Sequence, residues 1–301
     1  AALNAACESV DFSPEDSIVS VLPIHHTYEL CIMLAALNYG MNIAINDSLK
    51  RVLKNFALFE PTGLVLVPLF VSTMNKRIWD EARKGGKEKA LRALIKASRG
   101  LRAIHVDLRK TFFKQITSAF GGRLEKIVCG GAPLNPELAE TFSEFGIDIS
   151  EGYGITECAP LIAVNPYFAP KKGSVGPSVP CCTVRIDADH KNDLGFDEGE
   201  IQVKGDNVML GYYKNEEATA ETLVDGWYHT GDLGIIDAEG NVFIKGRSKN
   251  MLLGASGQNI YPEEIEDKLN SLPMVQECVV IQKGEKLYAL IYPDMDTAKA
   301  Q

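Results

Sequence analysis

The sequence predicts an α/β protein: a parallel-type sheet with helices, then a glycine-rich, barrel-like β region, then a small α+β unit. Three observations carry this. Over residues 1–172, short apolar runs rich in β-branched residues alternate with helical patterns. Over residues 173–247, strands are punctuated by glycine and the helical pattern nearly vanishes. Residues 248–301 then hold a loop, one helix and two strands.

The elements follow in order. AALNAACESV reads as a helix already under way at Ala1, and SIVSVL as a strand before a helix from about Glu29. TGLVLVP precedes a helix from about Val71, LRAIHVD one from about Leu108, and LEKIVCGG one from about Pro136. Strands alternating with helices in this way build a parallel, doubly wound sheet. CCTVRID, GEIQVKG, LGIIDAEG and NVFIKG read as mostly antiparallel strands. Pro262 opens a helix running to about Asn270, because the N–H that proline lacks has no partner in a first turn. Glu263 and Glu264 suit the positive end of that helix. VQECVVIQ and KLYALIY follow, and the last 54 residues (248–301) are too few for a comfortable independent core. DMDTAKAQ trails a strand with no closing element, so the chain is expected to be a piece of something longer.

Composition narrows the function classes. The chain has 301 residues, 46% hydrophobic and 24% charged, enough for a sizeable core. A net charge of −9 argues against wholesale nucleic-acid binding. Seven cysteines show no CxxC and no framework spacing, which suits reduced thiols in a cytosolic protein. Adjacent Cys181 and Cys182 read as buried and surface neighbours on a strand. The uncharged stretch from Leu30 to Asn46 carries Asn38, Gly40 and Asn42, so it reads as a core helix and a strand rather than a membrane span of about 20 apolar residues. Lys76 to Lys110 holds twelve Lys or Arg against four Asp or Glu. A solvated helical hairpin accounts for that imbalance. A patch that meets anionic lipid, giving peripheral membrane contact, is the sharper reading.

Four stretches carry candidate chemistry. EGYGITE sets Tyr153 between two glycines and follows it with Thr156 and Glu157. At the end of a parallel strand, that ring could stack on a base, the hydroxyl bond a phosphate and the carboxylate hold Mg²⁺. A turn around a buried tyrosine accounts for it as well. In CGGAPLNPEL, Gly130 and Gly131 allow close backbone approach to a flat base, as would a plain strand-to-helix loop. In GWYHTGDLG, Asp232 offers two acceptors to a vicinal diol, and the alternative is a turn aspartate. KGRSKNMLLGASGQNIYPEEIE places Arg247 and Lys249 just before a glycine-bearing loop, Gly254 to Gly257.

In this order and at these intervals the set resembles the adenylate-forming (acyl-CoA synthetase) superfamily, and most closely bacterial long-chain fatty acid–CoA ligases. LPIHHTYEL matches the LPxxH(x)YE stretch of those enzymes. The resemblance covers essentially the whole chain. It implies ATP, Mg²⁺ and CoA as cofactors and a fatty acid as substrate, with an acyl-adenylate formed first and a thioester second. It also implies Tyr153 on adenine with Gly131 and Ala132 nearby, Thr156 on the α-phosphate, and Glu157 on Mg²⁺. Asp232 and Arg247 would hold the ribose hydroxyls, and His26 takes the acyl-site position. Lys249 falls at the hinge of the small domain, and Gly254 and Gly257 line the CoA tunnel.

Two departures stand out. Nothing before Leu22 resembles the phosphate loop with its lysine, and Lys283, Lys286 and Lys299 do not match the context of the catalytic lysine near the end of the small domain. The isolated chain is therefore expected not to adenylate. An adenylating ligase for an aryl acid or with a carrier-protein acceptor, and a non-catalytic nucleotide-binding module, are the alternatives.

Overall fold

Ile18 and Val19, neighbours in the first strand, face two different apolar layers. Ile18 joins Met33, Ala36 and Met41, whereas Val19 joins Phe56, Leu64 and Val71. Side chains alternate across a strand, so a sheet with apolar residues at successive positions needs cover on both faces. The structure, a computed structural model, describes residues 1–167, 169–253, 259–270, 272, 274–284 and 286–295. Its backbone groups into two compact units: Ala1–Cys181 with Asp206–Met209, and Cys182–Gly205 with the chain from Leu210 onward.

The first unit runs α1 (Ala2–Ser9), β1 (Ser17–Ser20), α2 (Thr27–Tyr39), β2 (Asn42–Ile45), α3 (Val52–Phe59), β3 (Gly63–Leu66), α4 (Pro68–Lys84), α5 (Glu88–Arg102), α6 (Arg109–Phe112), α7 (Lys114–Ser118), β4 (Lys126–Cys129), α8 (Pro136–Glu144), β5 (Asp148–Gly154) and β6 (Leu161–Val164). The sheet order is β2-β1-β3-β4-β5-β6. The first five strands are parallel, and β6 is antiparallel to β5. Central β3 is buried at all four positions. Helix α8 starts where the sequence says it should: Pro136 occupies the first turn, and the Asn135 side chain accepts from the Glu137 N–H at 2.8 Å. The larger core gathers Phe56, Phe113, Phe142 and Phe145 around β3 and β4, with Phe113 and Phe145 edge to face at 5.4 Å. Ile147 in this core is fully buried. Ile147→Val, which removes one methylene, is expected to cost about 1 kcal/mol, read as a lower denaturant midpoint with unchanged slope.

The second unit runs β7 (Cys182–Lys191), β8 (Asp197–Gly205), α9 (Glu216–Thr222), β9 (Leu223–Val224), β10 (Trp227–Ile236), β11 (Val242–Arg247), β12 (Leu252–Leu253), β13 (Asn259–Ile260), α10 (Pro262–Asn270), β14 (Val275–Lys283) and β15 (Lys286–Pro293). Strands β11-β10-β8-β7 form an antiparallel sheet with β9 added to β10, and β14 and β15 form a separate hairpin. Helix α10 lies against this sheet. Lys245 pairs with Glu264 at 2.9 Å, Asn250 donates to Glu263 at 2.8 Å, and the Tyr261 hydroxyl donates to Glu198 at 2.7 Å.

Three local expectations need correction. LRAIHVD is not a strand: Leu101 and Arg102 end α5, and Ile104 and Val106 are exposed in the turn that follows. EGYG lies inside β5, so the loop begins only at Ile155. Cys181 and Cys182 do not divide into a buried and a surface side chain, since both are half-buried.

Candidate active site

The C-terminal ends of β4 and β5 bring several sequence-predicted residues into the first unit. Gly131 and Ala132 are exposed in the loop between β4 and α8. A Cβ on Gly130 would sit 3.0 Å from the Gly152 carbonyl and 3.5 Å from the Tyr28 ring, so β4, β5 and α2 converge there. Tyr28 supports the same corner by donating to the Val128 carbonyl at 3.3 Å. His26 is exposed and occupies the N-cap position of α2 in extended backbone conformation, without a side-chain capping bond.

Tyr153 sits in β5 opposite Ala163 of β6, with 7% of its surface exposed. The glycine after it has an internal cause: a Cβ on Gly154 would fall on the Pro160 carbonyl. The chain then turns through a single 3-10 turn, Thr156–Cys158, which leaves Thr156 exposed and Glu157 half-buried. The Glu157 carbonyl accepts from the Met209 N–H at 2.7 Å, which anchors the turn.

Sequence reasoning missed one buried and one half-buried carboxyl beside these residues. Glu29, in the first turn of α2, is 1% exposed and accepts from the Ser20 hydroxyl; burial raises its pKa. Glu151 pairs in register with Cys129, and burial pushes its carboxyl from 4.5 up to about 7. Burial, with Glu151 adding to it, pushes the Cys129 thiol to about 12. Between pH 4.5 and 7 the folded chain keeps the Glu151 proton while the unfolded chain has released it. The Glu151 contribution to stability is therefore fully present below pH 4.5 and falls by roughly 3 kcal/mol as pH rises to 7. Glu151→Gln is expected to flatten that slope in thermal melts taken across this range.

In the second unit, Asp232 of β10 and Arg247 of β11 are cross-strand partners. Arg247 Nε lies 2.9 Å from Asp232 Oδ1, with the carboxylate side chain 9% exposed and the guanidinium side chain 52%. The register of β10 shifts between His229 and Leu233, and such bulges re-aim side chains. Gly231 supplies the required left-handed residue at φ +70. Three bonds fix the bulge. The Thr230 hydroxyl donates to the Ile201 carbonyl at 2.7 Å, the Gly231 N–H to Glu200 at 2.8 Å, and Arg247 to the Thr230 carbonyl at 3.1 Å.

Glu200 also lies 2.8 Å from His229 Nδ1, and the sequence reading passed over it. The signal was present in GEIQVKG. Glu198, Glu200 and Gln202 alternate along one strand, and polar groups with that period on a covered face form networks. Lys249 is exposed in the turn after β11. Gly254 and Gly257, the expected CoA-tunnel glycines, lie outside the described residues.

The donor sets fit the groups the resemblance implies. A carboxylate held beside a guanidinium accepts from two sugar hydroxyls while the guanidinium donates to their oxygens. Among the described residues no three His, Cys, Asp or Glu side chains cluster as a metal cage. Mg²⁺ needs none, because it is commonly held by one or two carboxylates plus substrate phosphates. Glu157, half-buried beside the exposed Thr156, suits that arrangement. No helix among the described residues is long and apolar enough to cross a membrane.

The mostly parallel sheet of the first unit and the antiparallel sheet of the second are the fold elements of adenylate-forming enzymes. The chain belongs to the AMP-binding enzyme family, whose model matches residues 1–213. It is 43% identical over 276 residues to a long-chain-fatty-acid–CoA ligase of Escherichia coli O6:H1, covering 89% of this chain and 42% of that protein. It is 40% identical over 170 residues to the 2-succinylbenzoate–CoA ligase of Bacillus cytotoxicus, covering 56% of this chain and 35% of that protein. ATP-bound MatB from Rhodopseudomonas palustris matches with a TM-score of 0.72 and 27% identity over 97% of this chain and 53% of that one. The chain spans less than half the length of the curated relatives it matches.

Proposed function

We propose that this chain is the nucleotide-binding portion of an ATP-dependent long-chain fatty acid–CoA ligase. The observation that carries the reading is the Asp232–Arg247 pair, a nearly buried carboxylate aligned by a half-exposed guanidinium on a bulge built to present it. In the second unit these two residues hold the ribose hydroxyls. In the first, Tyr153 contacts adenine beside Gly131 and Ala132, Thr156 donates to the α-phosphate, and Glu157 takes Mg²⁺. The metal, when bound, neutralises charge on the phosphates. The chain's own contribution is positioning, which suits chemistry that gathers negative charge at phosphorus. His26, exposed at the head of α2, faces the acyl substrate in this reading.

Lys249 is the hinge about which α10 and the β14–β15 hairpin would swing, and Gly254 and Gly257 would make room for the pantetheine arm of CoA. A swing at Lys249 has a defined cost, because it must release the Lys245–Glu264 pair and the Tyr261–Glu198 bond. The 40% identity to a 2-succinylbenzoate–CoA ligase favours an aryl acid as the second reading. Acyl-CoA formation by the full-length protein that contains this chain, assayed with palmitate and 2-succinylbenzoate in parallel, decides between them. Thioester from palmitate alone supports the proposal, and thioester from 2-succinylbenzoate alone replaces it with the second reading.

A further inference from the structure

The first unit contains an open cavity of about 1060 Å³ walled by α3, α4, α5, α6 and α7. None of the residues proposed above lines it. Its floor is apolar: Ile78 is buried, and Leu91, Leu94, Phe112 and Ile116 are half-buried side chains packed against the main core. Its rim carries the exposed cations Lys54, Arg77, Lys84 and Lys87 against one acid, Glu81. The volume lies just above the ~300–1,000 Å³ typical of small-molecule sites.

The pairing pattern of the α4–α5 hairpin points the same way. Arg83 pairs with Asp80, Arg92 with Glu88, Arg99 and Arg102 with Glu144, and Lys110 with Glu125. Among the described residues, none of the four cations on the cavity rim closes an ion pair. Arg77, Lys84 and Lys87 of the hairpin, with Lys54 of α3, thus set unpaired positive charge at the mouth of an apolar hollow. A flat bilayer would meet cations spread over a convex face, whereas a concave apolar floor with a cationic edge complements one chain bearing one anionic head.

We propose that this cavity is a second acyl-chain site, which takes a single long-chain carboxylate with its tail over Leu91, Leu94 and Phe112 and its head among Lys54, Arg77, Lys84 and Lys87. The site goes beyond the nucleotide reading and does not depend on it.

Trp79 gives a local readout. It follows Ile78 on α4, and Arg92 of α5 stacks over its ring at 4.7 Å. The chain has two tryptophans, so Trp227→Phe isolates its signal. In that background, 11-bromoundecanoate is expected to quench Trp79, and dodecanoate to compete it off. Affinity should rise from octanoate to dodecanoate by up to roughly fourfold per methylene, the equivalent of ~0.8 kcal/mol. The double substitution Lys84→Glu/Lys87→Glu should weaken dodecanoate at least tenfold and leave dodecanol within twofold. Ala90→Phe, which fills the floor from an exposed helical position, should weaken both. The charge reversal involves exposed side chains without ion-pair partners, so it decides the matter even if Ala90→Phe does not fold. Absence of Trp79 quenching, or dodecanoate affinity indifferent to the charge reversal, overturns the proposal. So does binding to phosphatidylglycerol vesicles without binding of monomeric dodecanoate, which would make the face a bilayer-docking surface.

Discussion

Asp232→Ala is expected to weaken AMP binding by roughly 100-fold while leaving the fold nearly as stable as before. Two charge-assisted hydrogen bonds from sugar hydroxyls, at ~1.5 kcal/mol each, account for the size of the loss. The small stability effect follows from the exposure asymmetry of the pair. Removing the carboxylate strands Arg247, but that side chain is 52% exposed and water takes over the lost bond. Arg247 also keeps its bond to the Thr230 carbonyl. Calorimetric titration with AMP and with 2′,3′-dideoxy-AMP checks the assignment directly. The unsubstituted chain should prefer AMP strongly, and the variant should bind the two nucleotides alike. An unchanged preference in the variant would mean that the sugar is read elsewhere.

Gly154→Ala is expected to destabilise the first unit by about 3 kcal/mol, whereas Gly152→Ala should cost far less. A methyl at 154 would fall on the Pro160 carbonyl, a backbone atom that cannot rotate away. A methyl at 152 meets the end of the Leu161 side chain at 3.6 Å, an ordinary contact. Both glycines flank Tyr153 and look equivalent in the sequence, so the difference is a test of the β5–β6 pairing. Urea denaturation of the two variants reads it, and equal losses would contradict the close approach of the Pro160–Leu161 backbone. Because the same β5 segment carries Tyr153, Gly154→Ala should also weaken nucleotide binding beyond what its stability loss explains.

The alternation of strands and helices was legible because each apolar run is bounded by a turn signal. Gly40 follows α2, Pro68 opens α4, and Asn135–Pro136 opens α8. LRAIHVD misled because Ile104 and Val106 look β-branched and apolar, yet in the structure both are exposed and have no neighbouring strand to pair with. Burial is a tertiary property, and β-propensity reports it only on average. The same reason hid Glu151. As the first letter of EGYGITE it looks like a solvated acid, and only burial once β5 pairs with β4 raises its pKa. For the site, each motif alone was ambiguous between a ligand contact and a turn. Their order along the chain made the family legible. What order could not convey is support, such as Glu200 bonding both His229 and the Gly231 N–H behind Asp232. Nor could it show that Arg77, Lys84 and Lys87 of the basic hairpin stand unpaired at the edge of an apolar hollow.

The most direct test is a crystal structure of the chain soaked with AMP. Both ribose hydroxyl oxygens should lie within hydrogen-bonding distance of the Asp232 carboxylate, with Arg247 donating to one of them. A ribose lodged anywhere else, with Asp232 still paired only to protein, would contradict it.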